Sequence, residues 1–291
     1  MFGNRGLLPF FACLVLLLSA CQPIQPLQPR SEAPQDIPSA FADNNGIRIH
    51  YGVEGQGPPL VLMHGWAGSS KDWELFGYAE ALKQTYRLIM IDARGHGESD
   101  KPHEEDAYDL ETQAGDIVAV LDALGIEKAH YFGFSMGATI GWALATFAPD
   151  RFASLTLLGD APGSFVPTTS VANMRTLGAD GFAKMVAGYL STFGASESDV
   201  YNAYASNDPE ALVAAAYASA AEDFGPDLAG MNLPMQLVAG RFDDDYAAMK
   251  SAASMLLDAS FVEIPGQDHV GSFMQTELIA KTITGFISEL K

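Results

Sequence analysis

A chain of 291 residues with 16 Lys+Arg against 36 Asp+Glu carries a formal charge of −20, which excludes a polyanionic nucleic-acid partner on sign alone. Apolar residues make up 48%, enough for a sizeable core, and the length suits one large α/β domain with an inserted piece. The two cysteines, Cys13 and Cys21, both lie near the N-terminus, so the body of the chain holds no disulfide and draws its stability from packing.

The chain opens with Arg5 and the apolar run Leu7 to Leu18, which is too short for a bilayer span and has the make-up of a secretory signal. Leu18-Ser19-Ala20-Cys21 resembles the lipobox of bacterial lipoproteins. That resemblance implies removal of residues 1–20 and lipidation of Cys21, giving an exported protein anchored to the cell envelope. The alternative is an ordinary signal peptide with an incidental cysteine. Gln22 after Cys21, in place of Asp, resembles a sorting signal for the periplasmic side of an outer membrane, in a cell that has one. Removing residues 1–20 takes away Arg5 and no acid, leaving 15 Lys+Arg against 36 Asp+Glu. Residues 21–38 read as a tether: Gln22 to Pro38 holds five prolines and four glutamines, a composition that prefers extended polyproline II, ~3.1 Å per residue and ~50 Å in all.

A hairpin is predicted over Phe41 to Gly52, turning at Asp43-Asn44-Asn45-Gly46. The continuous apolar run Pro59 to Met63 predicts a strand buried on both faces, followed by His64-Gly65-Trp66-Ala67-Gly68 and a helix from Ser70 to Gln84. Arg87 to Ile91 is the next strand and runs into Asp92-Ala93-Arg94-Gly95-His96-Gly97-Glu98-Ser99, whose glycines permit tight turns and whose Arg94 can pair with nearby carboxylates. A helix over Leu110 to Leu124, a strand over Ala129 to Phe132, a helix over Ala138 to Phe147 and a strand over Leu155 to Leu158 follow. Between 161 and 233 the strands stop. Phe182, Met185, Val186, Tyr189, Leu190 and Phe193 fall at helical spacing, and Pro209 to Phe224 is a second, Ala-rich helix. Strands resume at Met235 to Ala239 and Phe261 to Ile264, with helices at Tyr246 to Leu257 and Ser272 to Leu290. Alternation of this kind predicts a doubly wound, mostly parallel sheet: core residues 39–160 and 234–291, with 161–233 as an inserted helical cap.

Gly133-Phe134-Ser135-Met136-Gly137 lies between a strand and a helix, the setting of a nucleophile elbow. With His64-Gly65-Trp66, Asp92-x-Arg94-Gly95-x-Gly97-x-Ser99, and Gly240-x-x-Asp243 followed by Pro265-Gly266-x-x-His269, it gives four landmarks in order. On these the chain resembles the α/β-hydrolase fold family over residues 40–291, near its esterase, enol-lactonase and cofactor-free haloperoxidase-type branches. The resemblance implies Ser135 as nucleophile, His269 as its base, and backbone N–H groups of Met136 and Trp66 as oxyanion donors. His64 is the rival base, structural in that family, while His50, His96, His103 and His130 suit surface or packing roles. A serine alcohol needs such a base, and the base needs a carboxylate to hold its tautomer. Asp243 fits that role and Asp160, after the preceding strand, is the other contender. The Trp66 indole either lines an acyl pocket or packs.

No metal or organic cofactor is implied. The acidic cluster Asp243-Asp244-Asp245 lacks the spacing of a calcium loop. The cap holds Arg175 and Lys184 against eight acids, an unfavourable field for anionic substrates; its apolar face is either a substrate wall or its own core. The expected activity is hydrolysis of a small carboxylic ester or lactone through an acyl-enzyme. Perhydrolase or C–C bond hydrolase chemistry on the same residues and an idle envelope lipoprotein used for binding stand as alternatives. Epoxide hydrolase and dehalogenase relatives are disfavoured because they carry Asp at the nucleophile position.

Overall fold

The computed structural model describes residues 39–163, 168–218 and 223–290. The signal segment, Cys21 and the tether lie outside the described residues. Eight strands form one sheet in the order β1-β2-β4-β3-β5-β6-β7-β8: β1 Ser39–Asn44, β2 Ile47–Glu54, β3 Pro59–Met63, β4 Arg87–Ile91, β5 Ala129–Phe134, β6 Phe152–Leu158, β7 Met235–Gly240 and β8 Ala259–Ile264. The hairpin β1–β2 turns at Asn45 and Gly46, both at positive φ, as a two-residue turn of matching twist requires. β2 pairs antiparallel with β4, and every later pair is parallel.

The sheet is covered on both faces, and β3 shows why its residues are apolar without alternation. Leu60 and Leu62 point to one core, with Trp73, Tyr78 and Ile279, while Val61 and Met63 point to the other, with Ile117, Val120 and Trp142. The second core is built by α3 (Leu110–Ala123), α4 (Met136–Phe147) and α8 (Tyr246–Met255), and the first by α1 (Asp72–Leu75), α2 (Tyr78–Leu82) and α10 (Thr276–Glu289). Asp109 caps α3 by accepting the Thr112 N–H at 2.8 Å.

Two predicted helices are broken in the structure. The helix expected over Ser70 to Gln84 is interrupted at Gly77, whose φ of 83° is left-handed. The break lets Trp73, Phe76 and Tyr78 all enter the core, where Tyr78 stacks on Phe273 at 5.0 Å. The last helix is likewise two pieces, α9 (His269–Phe273) and α10. The Asp268 side chain caps α9 on the Gly271 N–H at 2.7 Å, and Thr276 Oγ1 donates to the Phe76 carbonyl at 2.7 Å.

Between β6 and β7 lie α5 (Thr168–Ser191, kinked at Gly178), α6 (Glu197–Tyr204), α7 (Pro209–Ala218) and a 3₁₀ turn at Gly225–Gly230. α6 had no counterpart in the predicted elements, because its first turn is polar and its apolar face is short. Phe193 falls past the end of α5, in a turn. Phe224 lies outside α7 and donates its N–H to the Pro162 carbonyl at 2.8 Å. Met174, Phe182, Leu190, Val200 and Leu212 join the core shared with α2 and α10, so most of the cap's apolar face is packing. Among the described residues no helix is long and apolar enough to cross a membrane.

Candidate active site

Ser135 sits between β5 and α4 at φ 53°, ψ −119°, a conformation that a non-glycine residue holds only when its surroundings enforce it. The enforcement is a close approach of strand, helix and neighbouring strand. A Cβ on Gly133 would stand 2.3 Å from the Gly137 carbonyl oxygen, and one on Gly137 would stand 2.2 Å from that of Met63, so both positions require glycine. The Ser135 N–H donates to the Leu158 carbonyl at 2.8 Å, tying the turn to β6.

His269 Nε2 lies 2.9 Å from Ser135 Oγ, and His269 Nδ1 lies 3.0 Å from Asp243 Oδ2. With Asp243 ionised, Nδ1–H donates to it and Nε2 is left to accept the serine O–H. The Asp243 side chain is 2% exposed and that of His269 36%, so the carboxylate is enclosed while the imidazole edge can meet a ligand. The Asp245 N–H donates to Asp243 Oδ1 at 3.1 Å. The imidazole lies against Phe134, ring centroids 5.0 Å apart, and Phe134 stacks on Phe273 at 4.4 Å. These contacts fix the ring plane.

The competing residues are engaged elsewhere. Asp160 is buried, accepts from Thr139 Oγ1 at 2.6 Å, and is pushed well up in pKa by burial and by the nearby carboxylates of Asp245 and Asp243. It faces a cleft of about 370 Å³ shared with Asp223, Leu228 and Met255, whose lining includes neither Ser135 nor His269. His64 is buried, with Nδ1–H donating to the Gly65 carbonyl at 2.8 Å and Nε2 accepting the Ala93 N–H at 3.1 Å. Burial holds it below the usual histidine range, and with both nitrogens occupied it has no capacity as a base. His96 is buried and pushed down to about 3, first by burial and then by His64. His50 Nδ1 bonds Asp92 Oδ2 at 2.8 Å, His130 Nδ1 bonds Ser154 at 2.7 Å, and His103 bridges Asp208 and Glu210.

The loop after β4 is a brace. Burial pushes the Asp92 carboxyl up, but His50, His64 and the N–H groups of Glu98 and Ser70 outweigh it and hold it below the usual carboxylate range. The Ser70 N–H reaches Asp92 at 2.6 Å, which links this loop to the segment after β3. Arg94 is buried and pairs with Asp116 through Nε at 2.6 Å and Nη2 at 2.5 Å.

Met136 opens α4, so its N–H has no acceptor inside the helix and the helix N-terminus favours negative charge beside Ser135. Trp66 lies in the turn closed by the Gly68 N–H on the Gly65 carbonyl at 3.0 Å, and Gly65 approaches Phe134 and Ser135 across it. The Trp66 indole N–H donates to the Leu212 carbonyl of α7 at 2.8 Å, and its ring meets the Phe182 ring edge-on at 5.6 Å. The indole therefore packs between the loop after β3 and the cap. Asp72, Tyr204 and Asn207, which also join loop and cap, carry no local signal in the sequence.

Residues 58–191 match the model of a family described as alpha/beta hydrolase fold. Across 284 residues the chain is 25% identical to a putative 2-succinyl-6-hydroxy-2,4-cyclohexadiene-1-carboxylate synthase of Bacillus subtilis, covering 85% of this chain and 97% of that protein. Epoxide hydrolases match at higher identity but over 107 to 120 residues, and the chain spans 35% or less of their length. Among solved structures, the enol-lactonase of Burkholderia xenovorans superposes with a TM-score of 0.75 at 25% identity over 86% of this chain and all of that one. An esterase of Rhodococcus, RhEst1, gives 0.73 at 28% identity over 88% of this chain and all of that one. The chain is an enzyme of the α/β-hydrolase fold, with Ser135 in the strained turn between β5 and α4.

Proposed function

We propose that the protein is a serine hydrolase of a small carboxylic ester or lactone, acting through an acyl-enzyme on Ser135. The observation that carries this reading is the continuous line Ser135 Oγ, His269, Asp243 with steps of 2.9 and 3.0 Å. In it His269 takes the serine proton as Oγ attacks the carbonyl carbon and returns it to the leaving alkoxide. Asp243 holds the tautomer and stabilises the imidazolium. The N–H groups of Met136 and Trp66 receive the oxyanion, the kind of interaction whose loss costs ~3 kcal/mol of transition-state stabilisation. Water, activated by the same His269, then releases the acyl group. The likeness to an enol-lactonase and an esterase supports this substrate class; the likeness to epoxide hydrolases covers 35% or less of their length.

The reading includes export and lipid anchoring at Cys21, on the periplasmic face of an outer membrane where the cell has one, supported by Leu18-Ser19-Ala20-Cys21-Gln22. The reaction is tested by initial rates on p-nitrophenyl acetate, butyrate and octanoate beside Ser135→Ala. Turnover that vanishes in the variant is expected, and equal rates in both would refute the assignment. The anchor is tested by labelling cells with an alkynyl palmitate; label lost in Cys21→Ser is expected, and an unlabelled wild type would remove the anchor from the reading.

A further inference from the structure

We infer that Asn207, in the turn between α6 and α7 of the helical insertion, is a positioning residue that sets the direction of the Trp66 N–H. The inference rests on the hydrolase reading above, in which that N–H receives the oxyanion.

Ala67, the residue after Trp66, has a φ of 65°. For an alanine the left-handed region is sterically strained, and such a residue stays there only where its neighbours leave no alternative. Its side chain is buried, and its carbonyl accepts from Asn207 Nδ2 at 2.8 Å. Asn207 is itself buried, so little water competes for that bond.

Gly65 is pinned at the other end of the same turn, its carbonyl taken by the Gly68 N–H at 3.0 Å. With Gly65 and Ala67 both held, the peptide between Gly65 and Trp66 has one orientation, and the Trp66 N–H points one way. Two further bonds from the same stretch of the cap fall on this loop: Trp66 Nε1 to the Leu212 carbonyl at 2.8 Å, and Tyr204 Oη to Asp72 Oδ2 at 3.2 Å. Within residues 204–212 the cap thus grips residues 66–72 at three points, and Asn207 holds the strained one. Without its amide, Ala67 can relax toward negative φ and turn the adjoining peptides with it.

A donor that serves the tetrahedral intermediate acts on kcat, whereas a residue that shapes only the pocket acts on KM. Asn207→Asp keeps the shape but puts an oxygen against the Ala67 carbonyl; Asn207→Ala removes the group. In the full-length chain, with p-nitrophenyl butyrate, both are expected to lower kcat by ~10- to 100-fold and leave KM within about twofold of wild type. A trifluoromethyl ketone bearing the same acyl chain, which forms a tetrahedral alkoxide on Ser135, is expected to lose affinity by the same factor as kcat/KM.

Folded variants with wild-type kcat, or with a raised KM and unchanged kcat, would overturn the inference. Should both Asn207 variants fail to fold, Trp66→Phe keeps the main-chain N–H and an aromatic ring against Phe182 but removes the Leu212 bond; the same split in kcat is expected there, and unchanged kinetics would overturn the grip. Wild-type turnover that survives Ser135→Ala would fail the hydrolase reading and this inference with it. Ser135-dependent turnover indifferent to Asn207 would fail this inference alone.

Discussion

Asp72 opens α1 beneath the cap with a side chain that is almost fully enclosed. Its Oδ2 accepts the Ser69 N–H at 3.4 Å and the Tyr204 hydroxyl at 3.2 Å, and its Oδ1 has no partner among the described residues. Burial, with a lesser push from Asp92, raises the carboxyl from 3.8 to about 7 against the pull of the two hydrogen bonds. Between those values the folded chain holds a proton that the unfolded chain has lost, so stability falls as pH rises from about 4 to about 7 and levels off above. At ~1.4 kcal/mol per tenfold change in proton affinity, the cost above about pH 8 is about 4 kcal/mol. Asp72→Asn copies the protonated shape and does not titrate. Urea unfolding of both proteins from about pH 4.5 to about pH 8.5 should therefore show the variant gaining on wild type by about 3 kcal/mol across the range. All other titrating groups are common to the two proteins and cancel in the difference. A difference that stays flat with pH would refute the claim that burial holds this carboxyl's proton in the fold up to about pH 7.

Asp243→Asn should lower kcat by about 10⁴ while the protein stays folded, since the imidazole loses the partner that fixes its tautomer; Asp160→Asn, whose bond is to Thr139, should leave kcat unchanged, and steady-state kinetics on both variants decide between the two acids. Gly137→Ala forces a Cβ to within 2.2 Å of the Met63 carbonyl, a clash with backbone that should cost about 3 kcal/mol, read as a lowered Tm. Arg94→Met leaves the buried Asp116 with the Asn44 amide, 2.8 Å away, as its remaining side-chain donor among the described residues and should cost ~3–5 kcal/mol, whereas replacing Arg94 and Asp116 together by Met and Leu should cost much less; chemical denaturation of the single and double variants measures both.

Strands and the elbow at Ser135 were legible because their causes are local, whereas His269 and the choice of Asp243 or Asp160 rested on resemblance to the α/β-hydrolase fold family. A run such as Leu60 to Met63 is apolar at every position only if both faces of the strand are covered, and Gly133 and Gly137 mark where backbones close on Ser135. The break at Gly77 was not legible, since a glycine inside a helical pattern is tolerated until the core demands that Phe76 and Tyr78 both face inward. The role of Asp160 stayed open from sequence because β6 and β7 end side by side, and only the placement of α9 aims His269 at one carboxylate and away from the other. Asp72 reads in sequence as an ordinary acid in a first turn. Its burial exists only once Tyr204, 132 residues later, closes over it. The pattern of apolar residues and glycines determined the sheet and the turn that carries Ser135, because backbone sterics and burial act on neighbours along the chain. Tertiary structure decided which acid meets the histidine and how the cap grips the loop after β3, because those contacts join residues more than twenty positions apart, through packing that no stretch of sequence contains.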